Sequence, residues 1–218
     1  MEKPLFVAFH TPDDFYSNMA ERLRQSLVRF GLDHHIEQHE NAGSWAKCCW
    51  HKAYFILGML SRFYNRDIVY LDADAEMKAY PDRLFNLAAD IAFVENEQRQ
   101  PISSMVYFKN NDASRLFVCD WIKMNKKFPD FPCADQENFG SLVRVREMEG
   151  MTVTYLPITY NFERNITRRI GEPVVIYQHI ASRLGIVPDF ETIHGILAQR
   201  IGYAPEFGEG SHQEIARA

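Results

Sequence analysis

Two aspartates one residue apart, Asp72 and Asp74, follow directly on the apolar run Ile68-Val-Tyr-Leu71. Alternate residues of an extended segment point the same way, so the spacing predicts both carboxylates on one side of the chain. Carboxylate oxygens are hard donors that suit Mg²⁺ or Mn²⁺. A cation held there could bridge the two phosphates of a nucleoside diphosphate. As a Lewis acid it would offset the charge that develops on the diphosphate oxygen when a group leaves it. Asp-x-Asp pairs by themselves are common in solvated loops; the buried strand just before this one is what favours chemistry.

The elements that must position this pair are legible from periodicity. Leu5 to Phe9 reads as a buried strand stopped at His10-Thr11-Pro12. Met19, Leu23, Leu27 and Phe30 recur at helical spacing within Tyr16 to Phe30, and Gly31 ends that helix. A short strand is expected at His34 to Gln38, then a long helix over Trp45 to Tyr64 with Ala53, Ile56, Leu57, Leu60 and Phe63 inward. Further strands are expected at Asp67–Leu71, Ile91–Val94, Met105–Phe108, Met151–Leu156 and Val174–Tyr177. A helix over Asn111 to Lys126 would be capped by Asp112 or Ser114. Strands alternating with helices predict an α/β fold, a mixed and mostly parallel sheet with helices on both faces. Ligands of such sheets bind beyond the carboxyl ends of the strands, here at His10-Thr11-Pro12 and Asp72-Ala-Asp74.

Composition narrows the function class. With 218 residues, 46% of them hydrophobic, the chain is expected to form one domain over 1–203 and a loosely ordered tail over 204–218. Cys48, Cys49, Cys119 and Cys133 form no CxxC pair and read as reduced thiols. A net charge of −5 without a dense Lys/Arg block argues against a nucleic-acid partner. No apolar run is long enough for a membrane span or a signal segment, so a cytoplasmic location is expected, with peripheral membrane contact left open.

Other short motifs occur in a fixed order around the aspartates. They are Phe6 to Thr11; Trp45 and Lys52-Ala-Tyr-Phe-Ile56; Val69-Tyr-Leu-Asp-Ala-Asp74; Tyr80-Pro81 and Leu84-Phe85; Asp135-Gln136; Leu156-Pro157 and Tyr160-Asn161; and Val175-Ile-Tyr-Gln-His179. This series resembles the nucleotide-diphospho-sugar transferases of the GT-A (Rossmann-like) fold, including the glycogenin-like and bacterial lipopolysaccharide galactosyltransferase-like families. The resemblance spans residues 5 to about 183.

The resemblance implies roles. Asp72 and Asp74 would bind the metal, with Asp72 also reaching the ribose, and His179 would be the third protein ligand, an imidazole that tilts the preference toward Mn²⁺. Lys52 and Arg183 would hold the diphosphate, and Thr11 and Tyr16 the base or ribose. Asp135 and Gln136 would lie near the anomeric carbon and the acceptor, where a carboxylate orients a hydroxyl, acts as base or stabilises an oxocarbenium-like state. Ser103-Ser104 stands where those families have Asn, Ser or Ala followed by Gly. That places Ser104 against the donor and leaves the sugar unspecified. Each residue also has a plainer reading. His179 could be a half-buried strand-end histidine, Lys52 and Arg183 solvated cations, Tyr16 a helix-face aromatic and Asp135 a helix N-cap.

The expected activity is transfer of a hexose from a nucleotide diphosphate sugar, with UDP the expected nucleotide, to a glycan or other hydroxyl acceptor. The alternative is a glycosyltransferase-like domain that binds nucleotide or glycan without turnover. Acceptor walls in the resembled families are often C-terminal additions, a wall that a second copy of the chain or a partner could supply here. An Asp-x-Asp phosphohydrolase would carry its motif on the first strand, with Thr or Val where Glu76 stands. A sugar-phosphate nucleotidyltransferase would need a Gly-rich loop where His10-Thr11-Pro12-Asp13 offers none.

Overall fold

A computed structural model describes residues 3–127, 134–163 and 172–179. Cys133, Arg183 and the expected tail over 204–218 lie outside the described residues.

The first strand, β1 (Leu5–His10), alternates its side chains between two cores. Leu5 and Val7 join one cluster and Phe6 and Ala8 the other, as period-two geometry requires of a strand buried on both faces. Asp13 then caps α1 (Asp14–Arg29) by accepting from the Tyr16 N–H at 2.9 Å. That helix ends in a Schellman turn. Gly31, at φ 61°, donates to Val28, and Leu32 donates to Leu27 at 3.1 Å. The left-handed backbone there is one that glycine adopts without a Cβ clash.

β2 (His34–Gln38) pairs parallel with β1, and α2 (Trp45–Arg62) follows, capped by Ser44. β3 (Ile68–Leu71) pairs parallel with β1 on its other side, bringing the carboxyl ends of β1 and β3 together. The short β4 (Ala75–Met77) is followed by β5 (Ile91–Glu95) and β6 (Pro101–Phe108). Next come α3 (Asp112–Lys127), α4 (Ala134–Met148), β7 (Val153–Leu156) and β8 (Ile176–Gln178).

The main sheet has the order β2-β1-β3-β6-β5-β7. β6 pairs antiparallel with both β3 and β5, while the other pairings are parallel, so five strands share one direction and β6 opposes them. One face packs on residues of α2, α3 and α4, including Ile56, Leu60, Phe117, Trp121 and Phe139. The other packs on Leu23 and Leu27 of α1 and on β4, which pairs with β8 as a separate two-stranded ladder. This is the expected α/β architecture. Among the described residues no helix is long and apolar enough to cross a membrane.

Two local readings are corrected. The α3 cap is Asn111, whose side-chain oxygen accepts from the Ser114 N–H at 3.0 Å; Asp112 already lies inside the helix. The chain is also not extended through the aspartate pair. It turns there, the Ala75 N–H donating to the Asp72 carbonyl at 3.0 Å, which is how one chain leaves β3 and enters β4.

Candidate active site at the carboxyl ends of the strands

Asp72 leaves β3 with its backbone N–H bonded to the Ser104 carbonyl at 2.9 Å, which continues the antiparallel ladder by one residue. Its Oδ1 accepts from the Tyr70 hydroxyl at 2.8 Å and lies 3.1 Å from Lys52 Nζ. Lys52 comes from α2 and Tyr70 from β3, and both side chains are buried. Nζ also lies 3.4 Å from Asp135 Oδ2 on the first turn of α4, 3.4 Å from Ser103 Oγ and 3.5 Å from the Ser103 carbonyl. The register between β5 and β6 slips after Phe93, and residues 103–105 fall in that slip, which frees the Ser103 carbonyl for the ammonium.

One buried ammonium thus sits between two carboxylates, that of Asp135 buried and that of Asp72 half-buried. Burial pushes Lys52 toward neutrality, but Asp72 and Asp135 outweigh it and hold the ammonium protonated above its ordinary range. Burial raises the Asp135 carboxyl, with repulsion from Asp72 adding to the effect and Lys52 opposing it. The Asp135 backbone is fixed from behind, its carbonyl accepting from the Trp121 indole N–H at 2.8 Å. Asp135 therefore lies within the first helical turn and in the ion cluster at once.

Tyr16 is half-buried on α1. Burial, and then the negative field of Asp74, Cys49, Asp72 and Asp13, pushes its hydroxyl up to about 12. Thr11 is buried nearby and donates from Oγ1 to Asp13 at 2.5 Å, supporting the α1 cap. Ser104 donates to Asn161 Oδ1 at 2.8 Å, and Gln178 donates to the same oxygen at 2.9 Å. Gln136 is exposed, and the ion cluster forms without it. Arg183 lies outside the described residues.

His179 reaches the site by backbone pairing, its N–H donating to the Asp74 carbonyl at 3.1 Å just beyond the β4–β8 ladder. Its ring Nε2 lies 2.9 Å from Glu76 Oε2. Among the described residues no three His, Cys, Asp or Glu side chains already converge as a metal set. The donors nevertheless fit a hard divalent cation in kind. Two half-buried carboxylates share one turn, and an imidazole hangs from the residue bonded to the second of them.

Sequence reasoning brought Tyr16, Lys52, Asp72, Asp74, Asp135 and His179 to this edge of the sheet, and the described geometry joins Lys52, Asp72 and Asp135 directly. It missed Tyr70 and Glu76, and it named Ser103 only within the Ser103-Ser104 pair, not as a partner of Lys52. A signal existed for Tyr70, two residues before Asp72 and so on its face of the strand. None existed for the contact of Glu76 with His179, 103 residues away.

No protein-family model and no curated protein sequence matches the chain. Solved structures do match its fold. A glycosyltransferase involved in the glycosylation of the major capsid of PBCV-1 superimposes with a TM-score of 0.66 at 9% identity, over 83% of this chain and 94% of that one. The apo-form glycosyltransferase GlyE of Streptococcus pneumoniae TIGR4 gives 0.59 at 14% identity, over 83% of this chain. This chain spans 55% of the length of that protein. The architecture is therefore a glycosyltransferase fold, in agreement with the sheet order and helix placement above.

Proposed function

We propose that the chain is a metal-dependent glycosyltransferase that transfers a hexose from a nucleotide diphosphate sugar, with UDP as the nucleotide, to a hydroxyl acceptor. The observation that carries this reading is the Lys52-centred cluster, which holds Asp72 and Asp135 together where the parallel strands β1 and β3 end, in a glycosyltransferase fold. Asp72, Asp74 and His179 would hold Mn²⁺ or Mg²⁺, which supplies Lewis-acid stabilisation of the leaving diphosphate.

The chain's own residues do the rest. Tyr70 and Lys52 both engage Oδ1 of Asp72, so the carboxylate keeps one orientation while its second oxygen is left for the ligand. Tyr16, whose hydroxyl keeps its proton under burial and the aspartates' charge, is a donor able to bond a ribose or phosphate oxygen. Lys52 is committed to Asp72, Asp135 and Ser103, so its charge acts on the diphosphate through the carboxylates rather than by direct contact. Asp135, raised by burial, is the group proposed to orient the acceptor hydroxyl and take up its proton.

The test is thermal unfolding with UDP, with other nucleoside diphosphates and with UDP-sugars, each with and without Mn²⁺. A ligand at a hundred times its dissociation constant stabilises the fold by roughly 2.7 kcal/mol. The expected result is stabilisation that needs UDP and metal together and disappears in Asp74→Ala. Metal-dependent stabilisation that survives Asp74→Ala would remove the metal assignment. No response to any nucleotide would leave a fold that binds something else.

A further inference from the structure

We propose that Glu76 is a positioning residue for His179, fixing the imidazole so that Nδ1 is the nitrogen offered to the metal. This rests on the metal site proposed above.

The β4–β8 register sets Glu76 opposite Tyr177, so Glu76, Tyr177 and, two residues on, His179 share one face of the ladder. Across that face Glu76 Oε2 meets His179 Nε2 at 2.9 Å. Glu76 is itself buried and held on its other oxygen, with Lys78 Nζ at 2.6 Å from Oε1 and Arg29 Nη2 at 3.9 Å. A carboxylate oxygen at this distance accepts, so Nε2 is the donor and carries the proton. The lone pair is then on Nδ1. The Tyr177 ring, edge-on to the imidazole at 4.7 Å between centroids, restricts its rotation from the other side. A carboxylate on the far nitrogen fixes tautomer and ring orientation in metal-binding histidines and makes the ligand nitrogen more basic. Nothing else described contacts Nε2, and residue 76 lies two places beyond the Asp-x-Asp pair, on the strand that the pair's turn begins.

Two readouts test this without turnover. In metal-free protein in mildly alkaline buffer, ring ¹⁵N shifts of His179 should show a protonated Nε2 and an unprotonated Nδ1. Glu76→Ala should mix the tautomers. Mn²⁺ affinity in the presence of UDP, followed by the EPR signal of free Mn²⁺, should weaken about ten- to hundredfold in Glu76→Ala. Glu76→Gln, whose amide oxygen still accepts from Nε2–H, should lose less. In a His179→Ala background, Glu76→Ala should add no further loss. A proton on Nδ1 in the wild type would overturn the proposal. So would unchanged Mn²⁺ affinity in a Glu76→Ala protein that melts as the wild type does, or a loss that persists without His179. Absent Mn²⁺ binding in the wild type, or binding indifferent to Asp74→Ala, would overturn the metal reading itself and this ligand role with it.

Discussion

The Tyr70 hydroxyl donates to Asp72 Oδ1 at 2.8 Å, so the strand that delivers the first site aspartate also holds it. Burial, followed by the negative charge of Asp72, keeps the Tyr70 proton in place well above the ordinary phenol range. Hydrogen bonds to charged groups contribute about 1.5–3 kcal/mol, or roughly tenfold or more in binding. Tyr70→Phe is therefore expected to weaken metal-dependent UDP binding at least about tenfold. Calorimetric titration checks it, and unchanged affinity would mean that Lys52 alone orients the carboxylate.

Asp135 shares Lys52 with Asp72. Asp135→Asn removes one of two carboxylates around a single ammonium, leaving a balanced pair, so the melting temperature should change little. Donor binding should also be retained. Transfer should slow by about 10²–10⁴ if the carboxyl takes up the acceptor proton. Single-turnover kinetics separates the two steps, and unimpaired turnover would reduce Asp135 to a partner of Lys52.

Asp90 ties three elements together away from the site. Oδ2 accepts from the Thr152 N–H at 2.8 Å and hydroxyl at 2.7 Å, and Oδ1 accepts from Asn111 at 2.6 Å. Burial raises its carboxyl, but these donors more than offset it and leave the group below its ordinary range. The stabilisation is thus present above the unfolded carboxyl range near 3.9 and is lost as pH falls through the lower folded value. Asp90→Ala should cost about 1–3 kcal/mol at neutral pH. That difference should shrink on acidification, as denaturant titrations across pH would show.

His51 Nε2 and His39 Nδ1 lie 2.8 Å apart, and His39 continues to Glu37, which also binds His35 and Arg62. Burial first, and then His39, lowers the His51 ring below its ordinary range. The unfolded chain takes up this proton first on acidification. Stability should therefore fall as pH drops from the ordinary histidine range, near 6.5, toward the lower folded value. His51→Phe, which keeps the packing against Phe9, should lessen that acid sensitivity in melts between neutral and mildly acidic pH. Identical pH profiles would assign the sensitivity to other groups.

What the sequence determined was what short range decides. Leu5 to Phe9 and Ile68 to Leu71 are apolar runs that must be buried on both sides, and Gly31 supplies the backbone that ends α1. Parallel strands place their carboxyl ends together, so Asp72, Asp74 and the end of β1 could be assigned to one edge before any contact was known. Tertiary structure decided which atoms met. The resemblance makes Lys52 a diphosphate cation, because the sequence shows a lysine's charge but not its partners; in the structure Asp72 and Asp135, 20 and 83 residues away, meet it. His35 meets Glu37 two residues along its own strand, but its contact with Arg62 of α2 spans 27 residues. Glu76 and His179 are 103 residues apart and meet only because β4 and β8 pair. Periodicity is written into neighbouring residues, whereas a hydrogen bond needs two groups brought within about 3 Å by the whole chain, and no local pattern encodes that distance.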